Sequence, residues 1–181
     1  MFSWPVTYPF AILHVDTWIP GYHTYTDGYI AFMNAMYDMS QFVVVVPVPD
    51  ESSGTLASYC MQHVLMKFDI YYLVVLDDSS HFKGVFITMC EALNLNHDFL
   101  AKRNHKVLIV EHFFRFLDKS VAIDTEARGT NDVFIPAGIA AGYAWNSVPI
   151  DGTDILHNIS AIGREFYFPI DINFSALPKL T

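Results

Sequence analysis

Cysteine and long apolar stretches are both scarce in this chain. Two cysteines, Cys60 and Cys90, occur among 181 residues, and because they form no Cys-x-x-Cys pair, neither a disulfide framework nor a zinc ribbon is indicated. The longest apolar run, from Phe42 to Val48, is far shorter than the roughly 18 residues of a membrane span. The first residues lack the basic region and apolar core of a secretory signal. We therefore expect an intracellular protein with no membrane partner.

Positive charge is scarce as well. Ten basic residues against 19 acidic ones give a net charge of −9, which is the wrong sign for a typical nucleic-acid binder. The basic residues are unevenly placed, however, and half of them lie within eighteen positions: Lys102, Arg103, Lys106, Arg115 and Lys119. A composition that is 52% hydrophobic and 16% charged excludes a disordered segment and predicts a folded domain.

The apolar patterns predict a mixed sheet with helices. Strands are predicted at residues 10–17, 29–37, 42–48, 71–76 and 97–101, and helices at 53–67, 82–93, 106–123 and 134–145. The first three strands have short links and suggest an antiparallel meander, whereas the fourth follows a crossover helix and reads as parallel to its partner. The predicted fold class is α/β, a mixed sheet flanked by helices.

Two further features concern the packing of the last predicted helix and the end of the domain. Gly138, Ala141 and Gly142 in the last helix are small residues that allow close packing against another helix, within the domain or in a dimer. After Pro149 the sequence looks extended and irregular. We therefore predict one domain over residues 1–149, followed by an extended tail over 150–181.

Three acidic residues stand in apolar surroundings. Asp16 ends the first strand, Asp77 ends the strand that begins at Leu73, and Glu111 lies in an apolar helix. An ionised carboxylate in such a place is costly unless it binds a cation or is well hydrogen-bonded. Carboxylates without histidine or cysteine partners suit magnesium or manganese. Two such ions would support in-line displacement at phosphorus, without a covalent protein intermediate.

These residues lie in three motifs: His14-Val-Asp16, Leu76-Asp-Asp-Ser-Ser-His-Phe82-Lys-Gly, and Asn104-His-Lys-Val-Leu-Ile-Val-Glu111-His-Phe-Phe-Arg115-Phe-Leu. Together they resemble the integrase catalytic core of long-terminal-repeat retrotransposons and retroviruses, a ribonuclease H-like domain. Sixty residues separate the two aspartates and thirty-three separate Asp77 from Glu111, which is near the spacing of that family. The resemblance covers residues 9–149, and the sequence that follows looks like the linker after such cores.

The resemblance implies a catalytic set and its partners. Asp16 and Asp77 would each bind metal, with Asp16 bridging two magnesium or manganese ions, and Glu111 would complete the second site. The partners would be double-stranded DNA, as element ends and target, and further copies of the chain, with action in the nucleus. The sequence departs from the family at Ser79, where glycine is usual, and at His81, and it has no glycine between residues 84 and 129.

Basic residues near Glu111 are candidates for DNA contact. Arg115 and Lys119 follow Glu111 by four and eight residues and share its helical face, although an ordinary solvated helix would look the same. The loop residues Lys102, Arg103 and Lys106 can reach phosphates beside the site, or simply be solvated.

Three functions remain open on the sequence alone. The first is a polynucleotidyl transferase that processes 3′ ends and joins element DNA to a target. The second is a ribonuclease H-type nuclease, which would cut RNA in a hybrid and generally uses a fourth carboxylate. The third is a catalytically inactive integrase-like remnant that serves as an assembly or DNA-binding module.

Overall fold

A five-stranded mixed sheet forms the centre of the computed structural model, which describes residues 8–21, 28–68, 72–100, 109–128 and 134–165. In chain order the strands are β1 (Ile12–Trp18), β2 (Ala31–Tyr37), β3 (Val43–Val48), β4 (Leu73–Asp77) and β5 (Asn96–Leu100). Their order across the sheet is β3-β2-β1-β4-β5. The first three strands pair antiparallel, and β4 and β5 run parallel to β1. This confirms the predicted mixed sheet.

Helices follow the strands in the predicted order. They are α1 (Ser53–Cys60), α2 (Met66–Phe68), α3 (Val85–Ala92), α4 (Val110–Arg128), α5 (Phe134–Asn146) and α6 (His157–Ile162). A π-helical turn, Met61–Leu65, joins α1 to α2, and a 3₁₀ turn, Ser80–Phe82, precedes α3. Helix α1 begins after the N-cap Ser52, whose side chain accepts a hydrogen bond from the backbone N–H of Thr55. None of the described helices has the length and apolarity needed to span a membrane.

The two faces of the sheet build two cores. Alternate side chains of β1 point to opposite faces, so Leu13 and Val15 join a core that includes Leu56 of α1 and Phe86 of α3. On the other face Trp18 joins a core that includes Phe113 of α4 and residues of α5. Because β4 is covered on both faces, its sequence is a continuous apolar run rather than an alternating one.

Gly138 and Gly142 of α5 pack against the sheet, although α5 also packs on α4. A Cβ atom added to Gly138 would overlap the ring of Phe32 in β2, and one added to Gly142 would lie 2.6 Å from the side chain of Val45 in β3. The predicted helix-to-helix contact is therefore wrong for these two positions. Close packing within the domain explains the pattern, and the dimer contact stays an expectation.

The region after Pro149 is not uniformly extended. Pro149 and Leu156 form an isolated antiparallel bridge, and α6 follows directly. The Nδ1 atom of buried His157 lies 3.0 Å from the carbonyl oxygen of Trp145, so α6 is tied to the end of α5. The expectation of an extended tail is wrong for α6, because six residues are too few to show a helical period. Residues 166–181 lie outside the described part of the chain.

Candidate active site

Asp16 and Asp77 are neighbours because of the register between two parallel strands. Val15 of β1 pairs with Leu76 of β4, so the residue after each of them, Asp16 or Asp77, stands at the same level. Adjacent strands lie about 4.8 Å apart, and both aspartates are at the carboxyl ends of their strands. Both are half-buried. The two strands are neighbours, as a metal site shared by Asp16 and Asp77 requires.

Glu111 approaches Asp16 from a helix, close enough for its charge to raise the pKa of that aspartate. It lies in the first turn of α4, where a carboxylate interacts favourably with the helix N-terminus. Helix α4 packs on β1 and β2, and its position is fixed further on by a 2.8 Å hydrogen bond from Trp18 Nε1 to Asp118 Oδ1. The side chain of Glu111 is half-buried.

The electrostatics of Asp16 record this crowding. The pKa of Asp16 is raised from 3.8 to about 7, chiefly by burial and also by the charges of Asp77, Glu111 and Glu51, against one backbone hydrogen bond that lowers it. That bond joins the Thr17 N–H to Asp16 Oδ1 at 2.8 Å. A proton or a cation is therefore favoured at Asp16.

Glu51 is a fourth carboxylate that the sequence analysis missed. Its Oε1 accepts a 2.5 Å hydrogen bond from the hydroxyl of Thr17 and lies 3.5 Å from Nδ1 of His81. Its position could have been predicted from the strand directions. Because β1 and β3 are both antiparallel to β2, their carboxyl ends lie at the same end of the sheet, and Glu51 follows β3 by three residues.

A buried acceptor stands beside Asp16 on the next strand. Asn34 of β2 pairs with Asp16 in the register, and its Nδ2 donates to the Phe32 carbonyl oxygen at 3.2 Å. The Oδ1 atom of Asn34 is buried and has no hydrogen-bond partner among the described residues. Two residues before Asp16 in β1, His14 is also buried, with its Nε2 atom 2.8 Å from Asp38 Oδ1.

The donors fit a hard divalent cation in kind. The charged groups that raise the pKa of Asp16, which are Asp77, Glu111 and Glu51, all offer carboxylate oxygen, the ligand that magnesium and manganese prefer. Within the described ranges, however, no three histidine, cysteine or acidic side chains are arranged to hold one ion. The carboxylates of Asp16, Asp77, Glu111 and Glu51 are therefore neighbours rather than a closed ligand set.

The predicted DNA-contacting residues divide into two groups. Lys102, Arg103 and Lys106 lie outside the described residues. Arg115 and Lys119 are exposed on α4. The structure adds Lys83, which the sequence analysis did not assign: its ammonium lies 2.7 Å from Asp78 Oδ1 and 5.8 Å from the centre of the Phe99 ring.

Comparison with solved structures identifies the architecture. The chain superposes on a chain of the simian T-cell lymphotropic virus intasome in complex with PP2A regulatory subunit B56 gamma, with a TM-score of 0.71 and 13% identity over 96% of this chain. It superposes on the HTLV-2 integrase catalytic core in complex with magnesium, in its trimeric form, with a TM-score of 0.66 and 15% identity. The fold is that of a retroviral integrase catalytic core.

The extent of these matches differs. The match to the simian virus chain covers 57% of that chain. The match to the HTLV-2 core covers 97% of that core and 85% of this chain. The BIV integrase core gives a TM-score of 0.62 at 15% identity, with 85% of this chain and 95% of that one covered. No protein-family model and no curated protein sequence matches the chain. The likeness therefore concerns the integrase core alone, and it is a likeness of fold.

Proposed function

We propose that this chain is the catalytic core of a retroelement integrase, a polynucleotidyl transferase that cuts DNA ends and joins them to a target. Asp16, Asp77 and Glu111 would hold two magnesium or manganese ions. The observation that carries the proposal is the register of β1 and β4, which sets Asp16 beside Asp77. Glu111, from a third sequence motif, supports the proposal because its charge helps to raise the pKa of Asp16.

The ions, when bound, would activate a water or a 3′-hydroxyl and stabilise the leaving oxygen. The chain's own residues position the carboxylates. The Thr17 N–H holds one oxygen of Asp16, and Glu51 holds the Thr17 hydroxyl. The carboxylate of Asp78, next to Asp77 in sequence, pairs instead with Lys83.

The substrate would be double-stranded DNA bound through its phosphates. Arg115 and Lys119 on α4, and Lys102, Arg103 and Lys106 before it, are the proposed contacts. With a net charge of −9, this chain would need help from further copies or other polyprotein domains to bind DNA tightly. Homo-oligomers acting in the nucleus are part of the proposal; the HTLV-2 core has been solved in trimeric and dimeric forms.

The test is the resolution of a branched DNA that mimics an integration product. The purified chain is incubated with this DNA and manganese or magnesium, beside Asp77→Asn and the matched control Asp78→Asn. We expect the parent and the control to resolve the branch, and Asp77→Asn to lose about a hundredfold or more, because a metal ligand supplies several kcal/mol. Equal rates for parent and Asp77→Asn would refute the assignment. No resolution together with no metal binding would leave an inactive integrase-like module.

Glu51 supports a second candidate, a ribonuclease H-type nuclease. Such enzymes generally use a fourth carboxylate, and Glu51 is close enough to Asp16 for its charge to raise the pKa there. This function predicts cleavage of the RNA strand of an RNA–DNA hybrid, reduced by Glu51→Gln, without any joining of DNA ends. If the chain joins DNA ends and leaves the RNA–DNA hybrid uncut, the ribonuclease H-type function is excluded.

A further inference from the structure

The outer edge of β3 carries backbone groups that can accept another strand. Successive residues of a strand turn their N–H and C=O groups to opposite sides. Both groups of Val43 face outward, since its N–H donates to Asn146 Oδ1 and its C=O accepts from Asn146 Nδ2, each at 2.8 Å. Val45 and Pro47 share this orientation, and proline is tolerated there because it has no N–H to lose. No described residue pairs with the outward groups of Val45, since β3 ends the described sheet.

Among the described residues, this edge is only partly protected against pairing. Native edge strands are typically guarded by charges, proline, bulges or a covering element, and β3 has one proline and no charge in the sequence Val-Val-Val-Val-Pro-Val. A groove of about 590 Å³ runs along one side, lined by Val44, Val46, Tyr59 and Phe68 among others. Two outward positions of the described strand are guarded: at Val43 the amide of Asn146 takes the place of a partner strand, and Pro47 offers no N–H.

The chain leaves the described structure beside this edge. Trp145 Nε1 donates to the carbonyl oxygen of Gln41, just before β3, at 3.0 Å, and His157 at the start of α6 is bonded to Trp145. A six-residue helix is about 9 Å long, so α6 ends within about that distance of its start beside Trp145. Ala161 near that end is buried in the core that Phe42 also joins. The described chain therefore ends, at Glu165, on the side of the domain where β3 begins.

Residues 166–174 have the pattern of a strand with one apolar face. The apolar positions are Phe166, Phe168, Ile170, Ile172 and Phe174. They alternate strictly with Tyr167, Pro169, Asp171 and Asn173, which is the period of a half-buried strand.

We propose that residues 166–174 add to the sheet as a strand on the outer edge of β3. Pro169 has no N–H and must face away from β3, so that residues 168 and 170 face it. In a strand parallel to β3, residues 168 and 170 would hydrogen-bond to Val45, with Pro169 directly opposite it. Their side chains would then lie on the face of the sheet that carries Val44 and Val46. The apolar positions then enter the 590 Å³ groove.

Hydrogen exchange of the full chain, followed amide by amide, tests the pairing. In the variant Ile170→Asp/Ile172→Asp we expect the Val45 amide to exchange about tenfold faster or more than in the parent, because pairing protects it. The matched control Tyr167→Asp/Asn173→Asp places the same charges on the other face and should leave Val45 unchanged. The amide of Val43, held by Asn146, should stay slow throughout. Equal exchange of Val45 in parent and both variants would overturn the proposal.

A second variant covers the case in which the first one unfolds. Val45→Pro removes the outward N–H but no bond to β2, and we expect amides 168 and 170 to exchange about tenfold faster in it. Unchanged exchange there would overturn the proposal. So would protection of Val45 that disappears on dilution together with a dimer seen by light scattering, because the edge would then hold a second copy of the chain.

Discussion

Replacing Asp16 with asparagine should stabilise the metal-free protein, although it removes a proposed catalytic residue. Burial, followed by the charges of Asp77, Glu111 and Glu51, raises the pKa of Asp16 from 3.8 to about 7. At pH 8 the folded state must therefore hold an ionised carboxylate where it is disfavoured. With about 1.4 kcal/mol for each pH unit between the two values, the cost reaches about 4 kcal/mol as an upper bound. An asparagine side chain avoids this cost, and its oxygen can still accept the hydrogen bond from the Thr17 N–H.

The sign of the pH dependence follows from the raised pKa. Below about pH 4 the carboxyl of Asp16 is protonated in both states and costs nothing. Between about pH 4 and pH 7 the unfolded chain loses its proton first, so the free energy of unfolding of the parent falls as the pH rises. The cost is about 2 kcal/mol at pH 5 and about 4 kcal/mol at pH 8. The advantage of Asp16→Asn should therefore grow by about 2 kcal/mol over this interval.

Urea denaturation in EDTA at pH 5 and pH 8, followed by tryptophan fluorescence, measures the difference. Asp154→Asn is the matched control, because it removes one negative charge from an exposed position outside the site. Magnesium should then stabilise the parent and leave Asp16→Asn unaffected. The reasoning fails if Asp16→Asn gains no more than the control at pH 8, or if its gain is the same at pH 5.

Three further changes test the packing described above, each by urea denaturation. Gly138→Ala should cost about 1–3 kcal/mol by overpacking, whereas Gly54→Ala, with open space around its Cβ, should gain about 0.5 kcal/mol; equal effects would contradict the close approach. Asn146→Ala should cost about 2–3 kcal/mol, since it leaves two buried backbone groups of Val43 unpaired; a loss below about 0.5 kcal/mol would exclude this role. Burial lowers the pKa of His157 below 6.5, so stability should fall as the pH drops through 6.5, and His157→Gln should lessen that fall.

The sheet and two of its carboxylates could be predicted because their signals are local. An apolar run that ends in aspartate marks both β1 and β4, and a crossover helix between them implies parallel neighbours. Their register, Val15 with Leu76, then places Asp16 beside Asp77. The place of Glu111 beside Asp16 could be predicted only with the family resemblance, because a position in a helix does not show which strand the helix packs on.

Other features depend on tertiary contacts that no short pattern encodes. The small residues Gly138 and Gly142 indicate a close approach, but the sequence does not show whether the partner is a helix or the sheet. Helix α6 was missed because it is six residues long, although Gly163, with φ 74° at its C-cap, is a typical helix end. Glu51 was missed because its proximity to Asp16 follows from strand directions rather than from its own neighbours in sequence.

The most direct test of the central claim is to locate manganese in crystals of this protein by anomalous scattering. The account predicts manganese density beside the carboxylates of Asp16, Asp77 and Glu111, and its loss in crystals of Asp16→Asn. Well-ordered carboxylates with no manganese between them, or manganese bound only elsewhere, would contradict the proposal that these three residues form a metal centre.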